Sequence, residues 1–138
     1  MILQVGVKIL LQNPEGKFLL LHRNPVKYKD VRGTWDIVGG RIEVGFLLLD
    51  NLRREVKEET QLEIEGVPIL LYAQDILRGD PPEKHVVRLT YRGKTTGEPV
   101  LDTEENDEFR WVSFDELKTW DDLDMYVKEI VKKGMLTS

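Results

Sequence analysis

The segment from residue 39 to residue 62 constrains this chain more than any other, because it holds three acidic side chains in one register. Gly39 and Gly40 predict a turn, and Glu55, Glu58 and Glu59 follow in a stretch with helical periodicity. With about 3.6 residues per helical turn, spacings of three, four and one put these carboxylates on one side. Like charges so placed repel by roughly a few tenths of a kcal/mol per pair. The helix either carries a solvated acidic edge or uses that edge to hold a cation.

The helix that carries the glutamates is predicted from Gly45 to Thr60, and its apolar stripe comprises Leu48, Leu49, Leu52 and Val56. Glu55 and Glu59 fall at the edge of this stripe, and Glu58 lies one step further out. Arg54, four residues before Glu58, is placed to pair with it. The acidic side is therefore expected where the helix meets a sheet.

Alternating apolar residues around this helix predict a sheet. The predicted strands cover residues 3–11, 17–23, 35–38, 62–76, 85–92 and 109–112, with an interruption at 66–68. A polar loop is predicted over 24–33, a capping box at 113–116 opens a short helix, and a last amphipathic helix is predicted over 121–133 behind an acidic turn. Strands and helices that mix in this way predict an α/β fold with a central mixed β-sheet, as a single domain over 1–138.

Charge and composition exclude several classes of function. The net charge of −5 argues against a broad nucleic-acid footprint, although local Arg and Lys or a bound metal can still attract a small anionic ligand. The absence of cysteine excludes thiolate metal sites and a thiol nucleophile. The N-terminus lacks a signal-peptide pattern, and the apolar runs are shorter than the ~20 residues that span a membrane. We therefore expect a cytoplasmic protein.

Glycines followed by an acidic helix are typical of a site for a metal and a phosphate. Glycine lets a ligand approach the backbone, and carboxylates with backbone carbonyls are the oxygen ligands that Mg²⁺ prefers. Bound Mg²⁺ bridges phosphate oxygens and activates water, and a neighbouring carboxylate accepts the proton. The pattern thus points to metal-assisted displacement at phosphorus. A solvated acidic helix edge explains the three glutamates alone equally well.

Gly40 to Leu62 resembles the Nudix box, Gly-x5-Glu-x7-Arg-Glu-U-x-Glu-Glu-x-Gly-U, where U is bulky and apolar. The matching residues are Gly40, Arg54, Glu55, Val56, Glu58, Glu59 and Leu62. Phe46 stands where the box has Glu, and Gln61 stands where it has Gly. Residues 33–36 and 104–117 also resemble the segments that flank the box, so the resemblance spans nearly the whole chain.

The resemblance implies a Nudix-like α/β/α sandwich and hydrolysis, with Mg²⁺ or Mn²⁺, of a nucleoside diphosphate linked to another moiety. It implies metal binding by Gly40, Glu55, Glu58 and Glu59, with the three glutamates also carrying catalysis. Arg23 and Glu108 are candidates for substrate binding, with solvated surface charge as the alternative for each. The base would be one of the three glutamates or Glu108.

Within this family we expect hydrolysis of a (d)NTP to (d)NMP and pyrophosphate, because the chain is little more than the bare domain. ADP-ribose and dinucleoside polyphosphates are the alternative substrates. Phe46 motivates a different class, a catalytically weakened Nudix-fold domain that binds a nucleotide or a partner protein. The expected partner is a small nucleotide, not a nucleic-acid polymer or a membrane, and a homodimer formed through strands stays open.

Overall fold

The structure, a computed structural model, describes residues 1–27 and 33–138, so part of the loop predicted over 24–33 lies outside the described residues. The strands are β1 Ile2–Gln12, β2 Phe18–Arg23, β3 Trp35–Asp36, β4 Val38–Arg41, β5 Glu65–Arg78, β6 Lys84–Lys94 and β7 Asn106–Val112. The helices are α1 Leu48–Thr60, α2 Phe114–Lys118 and α3 Met125–Lys132. No helix in these described ranges is long and apolar enough to cross a membrane.

The strands form one mixed sheet in the order β3-β2-β1-β6-β5, with β4 also beside β1 and β7 also beside β2. β1 runs parallel to β6 along its whole length, and the other strand pairs are antiparallel. β2 and β4 share the other edge of β1, because β2 meets it at Gln12 whereas β4 lies opposite Gly6 to Ile9. The two glycines of β4 are thereby fixed against the middle of the sheet.

Two apolar cores lie on opposite faces of the sheet, because successive side chains of a strand point to opposite sides. Val7 and Ile9 of β1 belong to the core that buries Leu52 and Val56 of α1. Leu10 belongs to the second core, which α2 and α3 cover. Helices therefore flank a central mixed sheet, and the predicted fold class is confirmed.

Three predicted element boundaries are wrong for local reasons. α1 begins at Leu48 and not at Gly45, because Gly45 has a φ of 94°, which a right-handed helix excludes. α3 begins only at Met125, because the Asp124 carboxylate caps the backbone N–H groups of the two residues after Met125. β5 extends from Glu65 to Arg78, with a register shift at its start in place of the expected interruption.

Candidate active site

Helix α1 brings two of its glutamates against the glycines of β4. The Glu59 carboxylate accepts a hydrogen bond from the Gly39 backbone N–H at 3.2 Å, and the Asn106 amide lies 3.5 Å from its other oxygen. A side chain on Gly40 would place its Cβ 3.0 Å from the Glu55 carboxyl group. Glu58 points outward, with about half of its side chain exposed. Glu55 and Glu59 therefore form the inner part of the site.

Gly39 and Gly40 lie within strand β4, so the turn predicted at this pair is wrong. Gly39 has a φ of 146°, and a Cβ there would lie only 2.1 Å from the Val7 carbonyl oxygen. The strand can pass this close to β1 only because Gly39 has no side chain. Gly39 thus allows β4 to lie close to β1, and Gly40 allows the Glu55 carboxyl group of α1 to lie close to β4.

Arg54 is held from several sides at the outer edge of the site. One guanidinium nitrogen lies 3.2 Å from the Glu58 carboxylate, as predicted, and 3.5 Å from that of Glu43. The other donates to the Asn51 amide oxygen at 2.9 Å. The Phe46 ring lies 5.0 Å from the guanidinium carbon, within the range of a cation–π contact. Phe46 thus replaces the expected carboxylate with an aromatic surface that still contacts Arg54.

Burial controls the charge of the inner carboxylates. Burial raises the pKa of Glu59 to about 8, against the attraction of Lys8. Burial also raises the pKa of Glu55, and a hydrogen bond links that carboxyl group to Glu59. At neutral pH the pair therefore holds a proton that a bound cation would displace.

The glutamates lie at one end of a cavity of about 680 Å³. On the wall of this cavity two buried aspartates bind three cationic side chains. Asp36 accepts hydrogen bonds from Arg23, from Lys8 at 2.9 Å and from Arg88 at 3.3 Å. Asp124 lies 3.2 Å from Arg23 and 3.1 Å from Arg88. Burial opposes ionisation of Asp36, but Lys8, Arg88 and Arg23 outweigh it and hold its pKa far below the usual value of 3.8.

A sequence profile of the NUDIX domain matches residues 2–130 of this chain. The chain belongs to the Nudix family. It is similar to an RNA pyrophosphohydrolase of Bartonella clarridgeiae, with 32% identity over 80% of this chain and 76% of the relative. A solved MutT protein from Methanosarcina mazei Go1 shares 26% identity and a TM-score of 0.78, over 96% of this chain and 92% of that one. For a MutT NUDIX hydrolase from Burkholderia pseudomallei, 20% identical, the TM-score of 0.79 over 96% and 98% of the chains shows a shared fold.

The predicted family and enzyme class are confirmed: the chain is a Nudix hydrolase, a pyrophosphohydrolase of phosphoric anhydrides. Nudix hydrolases generally use divalent metals. The donors of this site have the right chemistry for such an ion, since carboxylates and backbone carbonyls are hard oxygen ligands. Within the described residues no three His, Cys, Asp or Glu side chains converge as a ready cage, and Glu58 is paired with Arg54. The oxygen donors at this site nevertheless fit the chemistry of Mg²⁺.

The two predicted substrate-binding residues of this Nudix hydrolase have different surroundings. Arg23 lines the cavity, but its guanidinium already binds Asp36, Asp124 and the Gly33 carbonyl oxygen. Glu108 lies on β7 away from the cavity lining and pairs with Arg110.

The sequence analysis missed the other charged side chains that line the cavity, among them Lys8, Arg88, Asp36 and Asp124. Two of them carried a signal, because Lys8 stands in the largely apolar strand β1 and Arg88 stands between the apolar residues Val87 and Leu89 of β6. A buried cation in such a strand indicates a specific acidic partner.

Proposed function

We propose that this Nudix hydrolase cleaves a nucleoside 5′-polyphosphate with Mg²⁺, or Mn²⁺ in its place, most simply a (d)NTP to (d)NMP and pyrophosphate. The observation that carries the proposal is the position of Glu55, Glu58 and Glu59 at one end of a cavity whose volume suits a nucleotide. These carboxylates provide the negative charge that binds a divalent cation, and the cation in turn neutralises the charge of the phosphates.

In this proposal the three glutamates and a backbone carbonyl at Gly40 hold the cation. When bound, Mg²⁺ supplies charge neutralisation of the phosphate oxygens and activation of a water molecule. Glu59 is fixed by the Gly39 N–H group, and Glu58 is oriented by Arg54. Glu55 is the proposed base, because its carboxyl group lies against Gly40 and burial raises its pKa.

A nucleotide panel with Mg²⁺, read by release of phosphate and pyrophosphate, tests this function. We expect turnover by the native protein and at least a roughly 100-fold slower reaction for Glu58→Gln and Glu59→Gln. Glu63→Gln is the matched control, since Glu63 is highly exposed and does not line the cavity. Equal rates in the native protein and in both site variants would refute an enzymatic role of these glutamates.

The same panel separates the other candidates. ADP-ribose, a dinucleoside polyphosphate and a 5′-triphosphorylated RNA belong in it, the last because the Bartonella clarridgeiae relative is named an RNA pyrophosphohydrolase. A weakened domain, which Phe46 motivates, would bind nucleotide but show no turnover above the Glu58→Gln and Glu59→Gln variants. Light scattering at several protein concentrations tests whether the protein forms a homodimer, which the sequence left open.

A further inference from the structure

Five basic side chains of the described residues line the cavity, and they differ in what neutralises them. Lys8, Arg23 and Arg88 are bound to the buried aspartates Asp36 and Asp124. The other two are Arg41 and Arg78, and neither has an acidic partner within residues 1–27 and 33–138. Arg41 follows Gly40 directly and therefore belongs to the carboxylate end of the cavity.

Arg78 belongs to a different part of the cavity. It is the last residue of β5, and the two-residue period of a strand puts it on the same face as Ile76, which also lines the cavity. Directly opposite on β6 stands Lys84, which also lacks an acidic partner in the described part of the chain. Like charges opposite each other in an antiparallel pair are destabilising. Two facing cations without a counter-charge make a site for an anion.

This cationic pair is far from the glutamates. Gly40 lies opposite Val7 on β1, whereas Lys84, and with it Arg78, is level with Ile2. Three strand spacings and five residues along the strands separate Gly40 from Arg78. At ~4.8 Å per strand and ~3.3 Å per residue, their Cα atoms are roughly 20 Å apart. A ligand that uses both ends must extend well beyond its 5′-phosphates.

The stretch between the two ends is suited to a nucleoside. Ile76 and Val86 lie opposite each other and line it with apolar side chains, and Tyr126, whose ring lies 5.5 Å from the Arg88 guanidinium carbon, lines it too. Gly6 contributes no side chain to the lining, and an added Cβ would lie in van der Waals contact with Val86 at 3.7 Å and with the Gly40 carbonyl oxygen at 3.8 Å. A base and a sugar therefore fit between the glutamates and Arg78.

We propose that Arg78, assisted by Lys84, binds a phosphate on the 3′ side of the nucleoside whose 5′-phosphates lie at Glu55, Glu58 and Glu59. The position of the 5′-phosphates rests on the proposed function. A small 3′-phosphorylated nucleotide and the first phosphodiester of an oligonucleotide share this chemistry. Either fits an acidic protein, because a single phosphate contact needs no broad basic surface.

Equilibrium binding tests the proposal without requiring turnover. Adenosine 5′-monophosphate and adenosine 3′,5′-bisphosphate are titrated by calorimetry in the presence of Mg²⁺. We expect the native protein to bind the bisphosphate roughly tenfold more tightly, the effect of one partly exposed charged contact. Arg78→Gln should reduce this preference to about twofold or less and leave the affinity for the monophosphate unchanged. Arg110→Gln, at an exposed arginine outside the cavity, should keep the preference.

A 5′-phosphorylated dinucleotide distinguishes the two sources of the phosphate. Tighter binding of the bisphosphate identifies a small nucleotide, and tighter binding of the dinucleotide identifies an oligonucleotide end. Equal affinity of the native protein for the monophosphate and the bisphosphate would overturn the proposal. An Arg78→Gln variant that loses affinity equally for both ligands would overturn it as well. Absence of turnover in the nucleotide panel would count against the proposed function and leave this comparison intact.

Discussion

Phe46 is the residue at which this chain departs most from the chemistry of its family. Its ring contacts the Arg54 guanidinium, which in turn holds Glu58. We predict that Phe46→Glu raises kcat/KM at limiting Mg²⁺ by roughly threefold to tenfold, because the new carboxylate adds negative charge at the metal site. Steady-state kinetics over a Mg²⁺ series measures this gain. Phe46→Gln is the control, because Gln has nearly the shape of Glu but no charge. An equal gain in kcat/KM for both variants would rule out the charge as the cause.

The buried Glu59 carboxyl should make stability depend on pH when no metal is bound. Its folded pKa of about 8 lies above the usual 4.5, so the folded state holds an extra proton between these values. The associated stabilisation is complete below pH 4.5 and is lost as the pH rises through about 8. In the presence of a metal chelator, the Tm of Glu59→Gln should depend less on pH across this window than the Tm of the native protein. At the alkaline end of the window, the Tm of the variant should be higher by roughly 5 °C. Glu63→Gln should retain the native profile, and a native profile in Glu59→Gln would contradict the prediction.

Helix α1 ends with a residue in a strained conformation. Gln61 has φ 62° and ψ 6°, the left-handed region, and its N–H donates to the Lys57 carbonyl oxygen. The Nudix box places glycine here, which adopts this conformation without the steric cost of a Cβ. Gln61→Gly should therefore raise the free energy of unfolding by about 1 kcal/mol, measured by urea denaturation. Gln61→Ala keeps the Cβ and should give no such gain; a gain of the same size in Ala would point to a cause other than strain.

The elements differ in how much of them the sequence could predict. Periodicity located α1 and its glutamates, because an apolar stripe and a fixed spacing are local properties. The starts of α1 and α3 were misplaced, since apolar periodicity reports neither the positive φ of Gly45 nor the capping by Asp124. The contact of Arg88 with Asp36 joins residues 52 positions apart, and only the sheet brings them together. No local pattern could have indicated that pair.

At the scale of the whole molecule, Asp36 links four strands of the sheet through ion pairs. It binds Lys8 of β1, Arg23 of β2 and Arg88 of β6 from its own position in β3. Asp36→Asn removes the carboxylate charge that these partly or fully buried cations share. We therefore expect the unfolding free energy to fall by about 3–5 kcal/mol at neutral pH. Urea denaturation measures this loss, and Asp121→Asn, at an exposed aspartate, should change stability little.

The same aspartate gives a prediction for acid. Its folded pKa is lowered, so its contribution to stability is present above the unfolded value near 3.8 and is lost as the pH falls below that value. The difference in stability between the native protein and Asp36→Asn should therefore shrink as the pH falls below about 3.8. Urea denaturation of both proteins at a series of acidic pH values follows this difference, and a constant difference would show that the charge of Asp36 is not what matters.

The parallel pairing of β1 with β6 has a consequence for how the protein is made. Ile2 pairs with Lys84 and Gln12 with Lys94, so the longest neighbour of β1 is a strand that is synthesised much later than β1 itself. Until β6 is synthesised, one edge of β1 stays open, and open strand edges recruit other chains. Closing so large a loop is also slow. We therefore expect the nascent chain to close this edge of β1 only after residue 94 has emerged.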